Sequence, residues 1–248
     1  MNEVLTQLRQ RKSVRVFTQE PVTPEEKRTI LEAAVHAPTA GCQQLYTILD
    51  ITDPALKARL ADTCDHQPFI AQAPVVLIFC ADCRRWFDAY VEAGAGPRQP
   101  GAGDLLLAVD DALIAAQNAV TAAHSLGLGS CYIGDIMEQC ETHRRLLNLP
   151  LWVFPAAMLV LGRPTDQQVS RPKPERVPLE YVVQENTYRP LSGAELRACF
   201  AGRTGGQRFE SWMQAFCQRK YNSDFSREMT RSVEEYLRDF QDEEPMDR

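Results

Sequence analysis

The stretch from Asp104 to about Leu126 constrains this chain most. Leu107, Ile114 and Val120 stand among many alanines there, and no Asp, Glu, Lys or Arg follows Asp111 before Gly127 and Gly129. A helix with so little charge around its circumference has to be covered on most sides by other elements or by another subunit. Asp110, Asp111, Gln117 and Asn118 speak against a membrane helix, and no stretch approaches the roughly 18 uninterrupted apolar residues of a span. The 248 residues suffice for one domain of about 150 residues with an elaboration, or for one oversized domain. With 44% apolar and 24% charged residues, the composition is that of a folded soluble protein.

Sheet and helix signals alternate around that segment. Val75 to Phe79 is continuously apolar between Pro74 and Asp82, as a buried strand would be. Tyr46 to Leu49, Ser130 to Ile133 and Ala156 to Leu161 are further strands. Thr23-Pro24-Glu25-Glu26 combines a cap, a proline at the first helical position and a capping-box glutamate, so a helix should start there and end before Pro38. Asp53-Pro54 repeats the cap and proline ahead of a helix through Thr63, and another helix spans about Glu138 to Leu147. Trp86 to Gly103, with four glycines and two prolines, reads as an irregular excursion. Gly162 to Pro178 carries prolines at 164, 172, 174 and 178 among Arg163, Arg171, Lys173 and Arg176, which makes it stiff, extended and locally positive. Ser192 and Glu195 cap a further helix. Helical segments follow near Phe209 to Gln218 and Arg227 to Phe240, and nothing separates an independent second domain.

Thirty-three acidic against 27 basic residues give a formal charge of −6, which argues against a dedicated nucleic-acid binder. The first residues carry Glu3, Arg9, Arg11 and Lys12 with no apolar block behind them, unlike a secretory signal, so a cytoplasmic address follows by elimination. Eight cysteines are too sparse and irregular for a disulfide scaffold. Cys80 and Cys83 form a CxxC with no second half for a zinc site, and read as two thiols at a strand end. Gly-x-Gly-x-x-Gly, P-loop, His-Glu-x-x-His and Gly-x-Ser-x-Gly patterns are all absent.

Three short segments have the chemistry of a ligand site. Arg11, Ser13 and Arg15 alternate, so in an extended run they point the same way and offer two guanidinium forks and a hydroxyl to an anion; the same run also reads as a solvated basic edge. Pro38 to Gln44 allows close backbone approach, with Thr39 and Gln43 able to hydrogen-bond, or is a polar turn before a strand. Gly127 to Gly134 exposes amides of Ile133, Gly134 and Asp135 at a strand end. His36 and His124 read as packing or surface residues, and His66, in a polar loop, as a somewhat better site candidate.

In order and spacing these segments resemble the FMN-dependent nitroreductase family, especially its larger oxygen-insensitive NADPH nitroreductases and flavin reductases. The resemblance spans nearly the whole chain. Arg11-Lys12-Ser13-Val14-Arg15 matches the family's Arg-Ser-x-Arg, Pro38-Thr39-Ala40-Gly41-Cys42-Gln43 its Pro-Ser-x-x-x-Gln loop, and Gly127 to Gly134 its Gly-Leu-Gly-x-x-Tyr-Ile-Gly run. Gln67 precedes the matching Ile-x-x-Ala-Pro, and Arg176-Val177-Pro178 matches the end of Lys-Pro-Arg-x-Pro, with Lys173 shifted one place upstream. Asp135 stands where many relatives have a glycine.

The resemblance implies an α+β sandwich, a central and mainly antiparallel sheet flanked by helices, in an intertwined homodimer with flavin at the interface. It implies an FMN-binding core over residues 1–190 and a helical extension over 191–248 that packs on the dimer rather than forming its own domain. By the same resemblance, Arg11, Lys12, Ser13, Arg15, Lys173 and Arg176 serve the FMN phosphate and ribityl chain, and Pro38, Thr39, Ala40, Gln43, Gln67, Tyr132, Ile133 and Gly134 the ring side. No catalytic acid or base and no metal is implied. NADPH or NADH is the donor in a ping-pong hydride transfer through flavin N5, nitroaromatics, quinones or free flavin are the acceptors, and Arg203 or Arg208 is a candidate for the NADPH phosphate. Neither nucleic acid nor membrane is an expected partner. A same-fold flavoenzyme with dehalogenase-like or flavin-fragmenting chemistry, or a non-catalytic flavin-binding protein, is the alternative.

Overall fold

A computed structural model describes residues 2–241. The chain divides into two compact units, one formed by the described residues through Arg171 and again from Glu228, the other by Pro172–Arg227.

In the first unit α1 (Glu3–Gln10) is followed by α2 (Pro24–Val35), β1 (Tyr46–Asp50), α3 (Pro54–Thr63), α4 (Pro68–Gln72) and β2 (Val75–Asp82). Then come α5 (Arg84–Glu92), α6 (Ala102–Ser125), β3 (Gly129–Ile133), α7 (Cys140–Leu147), β4 (Val153–Gly162) and α8 (Asp166–Ser170). The strands form one antiparallel sheet in the order β1-β2-β4-β3. Every residue of the central strands β2 and β4 is buried. The period-2 geometry of a strand sorts their side chains onto two faces. Leu77, Phe79, Leu159 and Leu161 go to one cluster with α6, and Val76, Ile78, Met158 and Val160 to another with Leu60 of α3 and Ile70 of α4. Helices therefore cover both faces, which is why these strands read as unbroken apolar runs.

Alanines 108, 112, 115, 116, 119 and 123 of α6 are buried in the first cluster, where small side chains let the helix lie close to the sheet. By length and composition alone α6 is apolar enough to cross a membrane, a test that the core helix of a soluble protein also passes; one of its faces is filled by the sheet. Its opposite face leaves Leu106 and Leu107 exposed.

The capping box of Thr23 and Glu26 is formed, and Asp53 caps α3 through the Ala55 N–H. The expected irregular excursion from Trp86 requires correction, because it begins with α5. All of its glycines and prolines fall after Glu92, and α5 has no fully buried residue, Trp86 and Phe87 being only half-buried, so its core-facing signal is short. The stretch expected to be extended after Gly162 contains α8, and Arg163 is engaged with Glu20 at 2.5 Å and Glu26 at 2.8 Å rather than open to an anion.

The second unit holds α9 (Gly193–Phe200), with the Ser192–Glu195 capping box, α10 (Phe209–Lys220) and the start of α11 (Asp224–Leu237). Trp212 stacks on Phe216, and the Arg203 guanidinium lies over both rings.

Candidate functional site

The segment after α1 runs alongside β3. Ser13 forms a parallel bridge with Ser130, and the Val14 N–H donates to the Ser130 carbonyl at 2.9 Å. Gly129 makes this approach feasible, since a Cβ there would stand 2.6 Å from Val14 Cγ2. The Arg11 guanidinium lies over the Tyr132 ring, 5.8 Å from its centroid. Its Nε and Nη2 atoms are buried and meet no hydrogen-bond partner. Buried guanidinium donors left unmet are costly, so this arrangement suits an external anion such as a phosphate.

Arg15 extends over the Phe69 ring at 5.9 Å, which brings the neighbourhood of Gln67 to the same place. Its backbone N–H donates to Gln168 Oε1 at 3.3 Å. Gln67 is half-buried and donates through Nε2 to the Cys64 carbonyl at 2.9 Å. Lys12 is directed differently from its neighbours: its ammonium donates to the carbonyls of Val169, at 2.7 Å, and Arg171. Arg171 in turn donates to the Ser13 carbonyl at 2.6 Å. Ile133 is buried, Gly134 half-buried, and burial pushes the Tyr132 hydroxyl up to about 12 against the opposing pull of Arg11.

Arg11, Ser13, Arg15, Gln67, Tyr132, Ile133 and Gly134 thus gather at the β3 edge of the sheet. Pro38, Thr39, Ala40 and Gln43 lie elsewhere, on the loop that leads into β1 at the opposite edge. Three strand spacings of about 4.8 Å separate the two edges, roughly 14 Å.

The loop before β1 is held from α6. Thr39 Oγ1 donates to Asp111, the Ala40 N–H donates to Asp111 Oδ1 at 2.9 Å, and the Leu45 N–H donates to Oδ2 at 3.1 Å. Gln43 accepts from Trp86 Nε1 through its carbonyl at 2.7 Å. A cavity of about 410 Å³ opens beside it, walled by Leu45, by Trp86, Phe87 and Tyr90 of α5, and by the Arg98–Asp104 pair. Within the second unit Lys173 is half-buried and Arg176 exposed, both on the proline-rich stretch.

His36 and His66 are exposed, the latter paired with Asp62 at 2.8 Å. Sequence reading passed over His143, which is fully buried, hydrogen-bonded to the Ile136 carbonyl at 2.9 Å and to Thr63 Oγ1 at 2.8 Å, and pushed down by desolvation. It also passed over the structural part of Asp111, whose only signal was a carboxylate in an otherwise apolar stretch. Burial holds the Cys80 and Cys83 thiols up at about 12, so both remain protonated.

Residues 8–163 match the family model described as Nitroreductase family. The chain is 33% identical over 245 residues to the FMN reductase [NAD(P)H] of Bacillus subtilis, covering 95% of this chain and 91% of that protein. It is 40% identical over 180 residues to the oxygen-insensitive NADPH nitroreductase of Salmonella typhimurium, covering 73% and 72%. Among solved structures, the NADPH:FMN oxidoreductase from Vibrio harveyi complexed with NAD+ superimposes with a TM-score of 0.81 at 26% identity, over 95% of this chain and 98% of that one. A family match over residues 8–163, more than half the chain, makes this protein a member of the nitroreductase family.

Proposed function

We infer that this chain is an FMN-dependent NAD(P)H oxidoreductase that works as a cytoplasmic homodimer and reduces small acceptors such as nitroaromatics, quinones or flavins. The observation that carries the reading is the Arg11 guanidinium, buried beside β3 with Nε and Nη2 unmet, in the segment where the family motif calls for a phosphate ligand. Bound FMN supplies the two-electron redox chemistry. The chain's part is to hold the phosphate with Arg11, Ser13 and Arg15, and to present Gln67 and the backbone of Tyr132 to Gly134 to the ring. A site of this kind needs no acid-base dyad of its own. The assignment of Lys173 and Arg176 to the same phosphate rests on the family motif, and that of Arg203 or Arg208 to the NADPH phosphate on the family's habit.

Two observations support the homodimer. Val4, Leu5 and Leu8 of α1 are 57%, 47% and 47% exposed, and Leu106 and Leu107 of α6 are 65% and 50% exposed, a large apolar display for a monomer. The loop of Pro38 to Gln43 also lies a sheet's width from the Arg11 segment, so a second copy is the natural way for both to serve one flavin.

The test is the visible spectrum of the purified protein, followed by anaerobic addition of NADPH and then of NADH. The expected result is an oxidised-flavin band that NAD(P)H bleaches and an acceptor restores. A colourless protein that takes up no added FMN overturns the reading.

A further inference from the structure

We propose that Asp111 is a positioning residue that fixes the loop of Thr39 to Leu45 in the shape that meets the flavin, an assignment that rests on the FMN reading above. Asp111 is 3% exposed on the buried face of α6. Its carboxylate accepts from three donors on the loop: the Thr39 hydroxyl and the Ala40 N–H at the loop's start, and the Leu45 N–H at its end. Thr39 Oγ1 extends the set by accepting from the Gln44 N–H at 2.7 Å. One side chain from another element therefore ties both ends of the loop.

The loop needs such a tie. Gly41, Cys42 and Gln44 have φ of 56°, 58° and 52°, and the left-handed region is unfavourable for the two that carry a Cβ. Backbone N–H groups at Ala40 and Leu45 would otherwise be left without an acceptor where Leu45 is buried. Asp111 satisfies them and holds Gln43 against the cavity walled by α5. The physical demand is for an acceptor with two oxygens: asparagine would turn an amide NH2 toward one of the N–H donors, so Asp111→Asn keeps the volume and breaks the geometry.

The experiment compares wild type, Asp111→Asn and Thr39→Val. Amide hydrogen exchange is read at Ala40 and Leu45 without added FMN, FMN affinity by fluorescence titration, and the visible circular dichroism of the bound flavin as a report on the ring's surroundings. Asp111→Asn is expected to speed exchange at both amides at least about tenfold, to weaken FMN about tenfold and to change the flavin dichroism, at temperatures well below its melting point. Thr39→Val, which removes one donor to the carboxylate and one acceptor for Gln44, is expected to give the same changes at about a third of the size, and it carries the test if Asp111→Asn does not fold. Faster exchange with unaltered FMN affinity and dichroism would reduce Asp111 to a structural residue and overturn the proposal. Unaltered exchange overturns it as well. If wild type binds no FMN, the flavin reading has failed instead, and this assignment falls with it whatever the exchange shows.

Discussion

The two edges of the sheet carry hydrogen-bonding groups of opposite status. At the β3 edge the Arg11 guanidinium is buried with donors unmet, beside an N-terminal segment zipped to Ser130. At the β1 edge the Thr39 hydroxyl and the Ala40 and Leu45 N–H groups are all taken up by Asp111. One edge keeps buried donors unmet; the other has its shape fixed from within. Affinity should therefore reside mainly at the first edge, and loop geometry at the second.

Arg11→Ala is the strongest way to break that contrast. Loss of charge-assisted contacts of about 1.5–3 kcal/mol corresponds to roughly 10- to 150-fold weaker FMN binding, read by fluorescence titration. Unchanged affinity would mean that the β3 edge is not where the anion sits.

Glycines sharpen the contrast next, because they serve different ends at the two edges. A methyl group at Gly129 collides with Val14, so Gly129→Ala should cost about 1–3 kcal/mol and loosen the N-terminal segment, seen as a lower melting temperature together with easier FMN release. At Gly41 the nearest atoms would be 3.7 Å from a new Cβ, and only its φ of 56° resists substitution. Gly41→Ala should accordingly cost only about 1 kcal/mol.

A smaller effect is expected from pH. Glu138 follows the Gly134 turn, is buried with Oε1 unpartnered, and is pushed up to about 8 by desolvation, reinforced by Asp135, Asp65 and Glu228. A carboxyl raised in the folded state contributes stability that is fully present below its ordinary value of 4.5 and is lost as pH rises through about 8. Glu138→Gln removes that loss. The variant's melting temperature should exceed that of wild type by a margin that widens between pH 5 and pH 8; a constant margin would show that Glu138 does not titrate in this range.

The smallest change is expected at Lys12. Its ammonium already serves the Val169 and Arg171 carbonyls, so Lys12→Met should weaken FMN by no more than about threefold, within the range of a surface-type contact. A loss as large as that of Arg11→Ala would show that Lys12 turns to the phosphate when FMN binds.

Local chemistry makes much of the fold legible in the sequence. Thr23 with Glu26, Ser192 with Glu195 and Asp53 with Pro54 mark helix starts that form as written, because a cap is decided within four residues. The buried strands were legible because both of their faces are covered. Helix α5 was not: none of its residues is fully buried, and the glycines and prolines that follow it dominate the composition of its window. His143 was equally silent, since its partner Thr63 lies 80 positions away in the sequence.

The motifs around Arg11, Pro38 and Gly127 stand in the sequence with the chemistry each offers, because donors, acceptors and small residues are properties of single positions. Tertiary structure decided how they are grouped. The strand order β1-β2-β4-β3 puts Ser13 against Ser130 and sends the Pro38 loop to the far edge, and packing of α6 on the sheet brings Asp111 to that loop. Strand order and helix packing follow from burying two apolar faces at once, and that condition is met only by the whole chain.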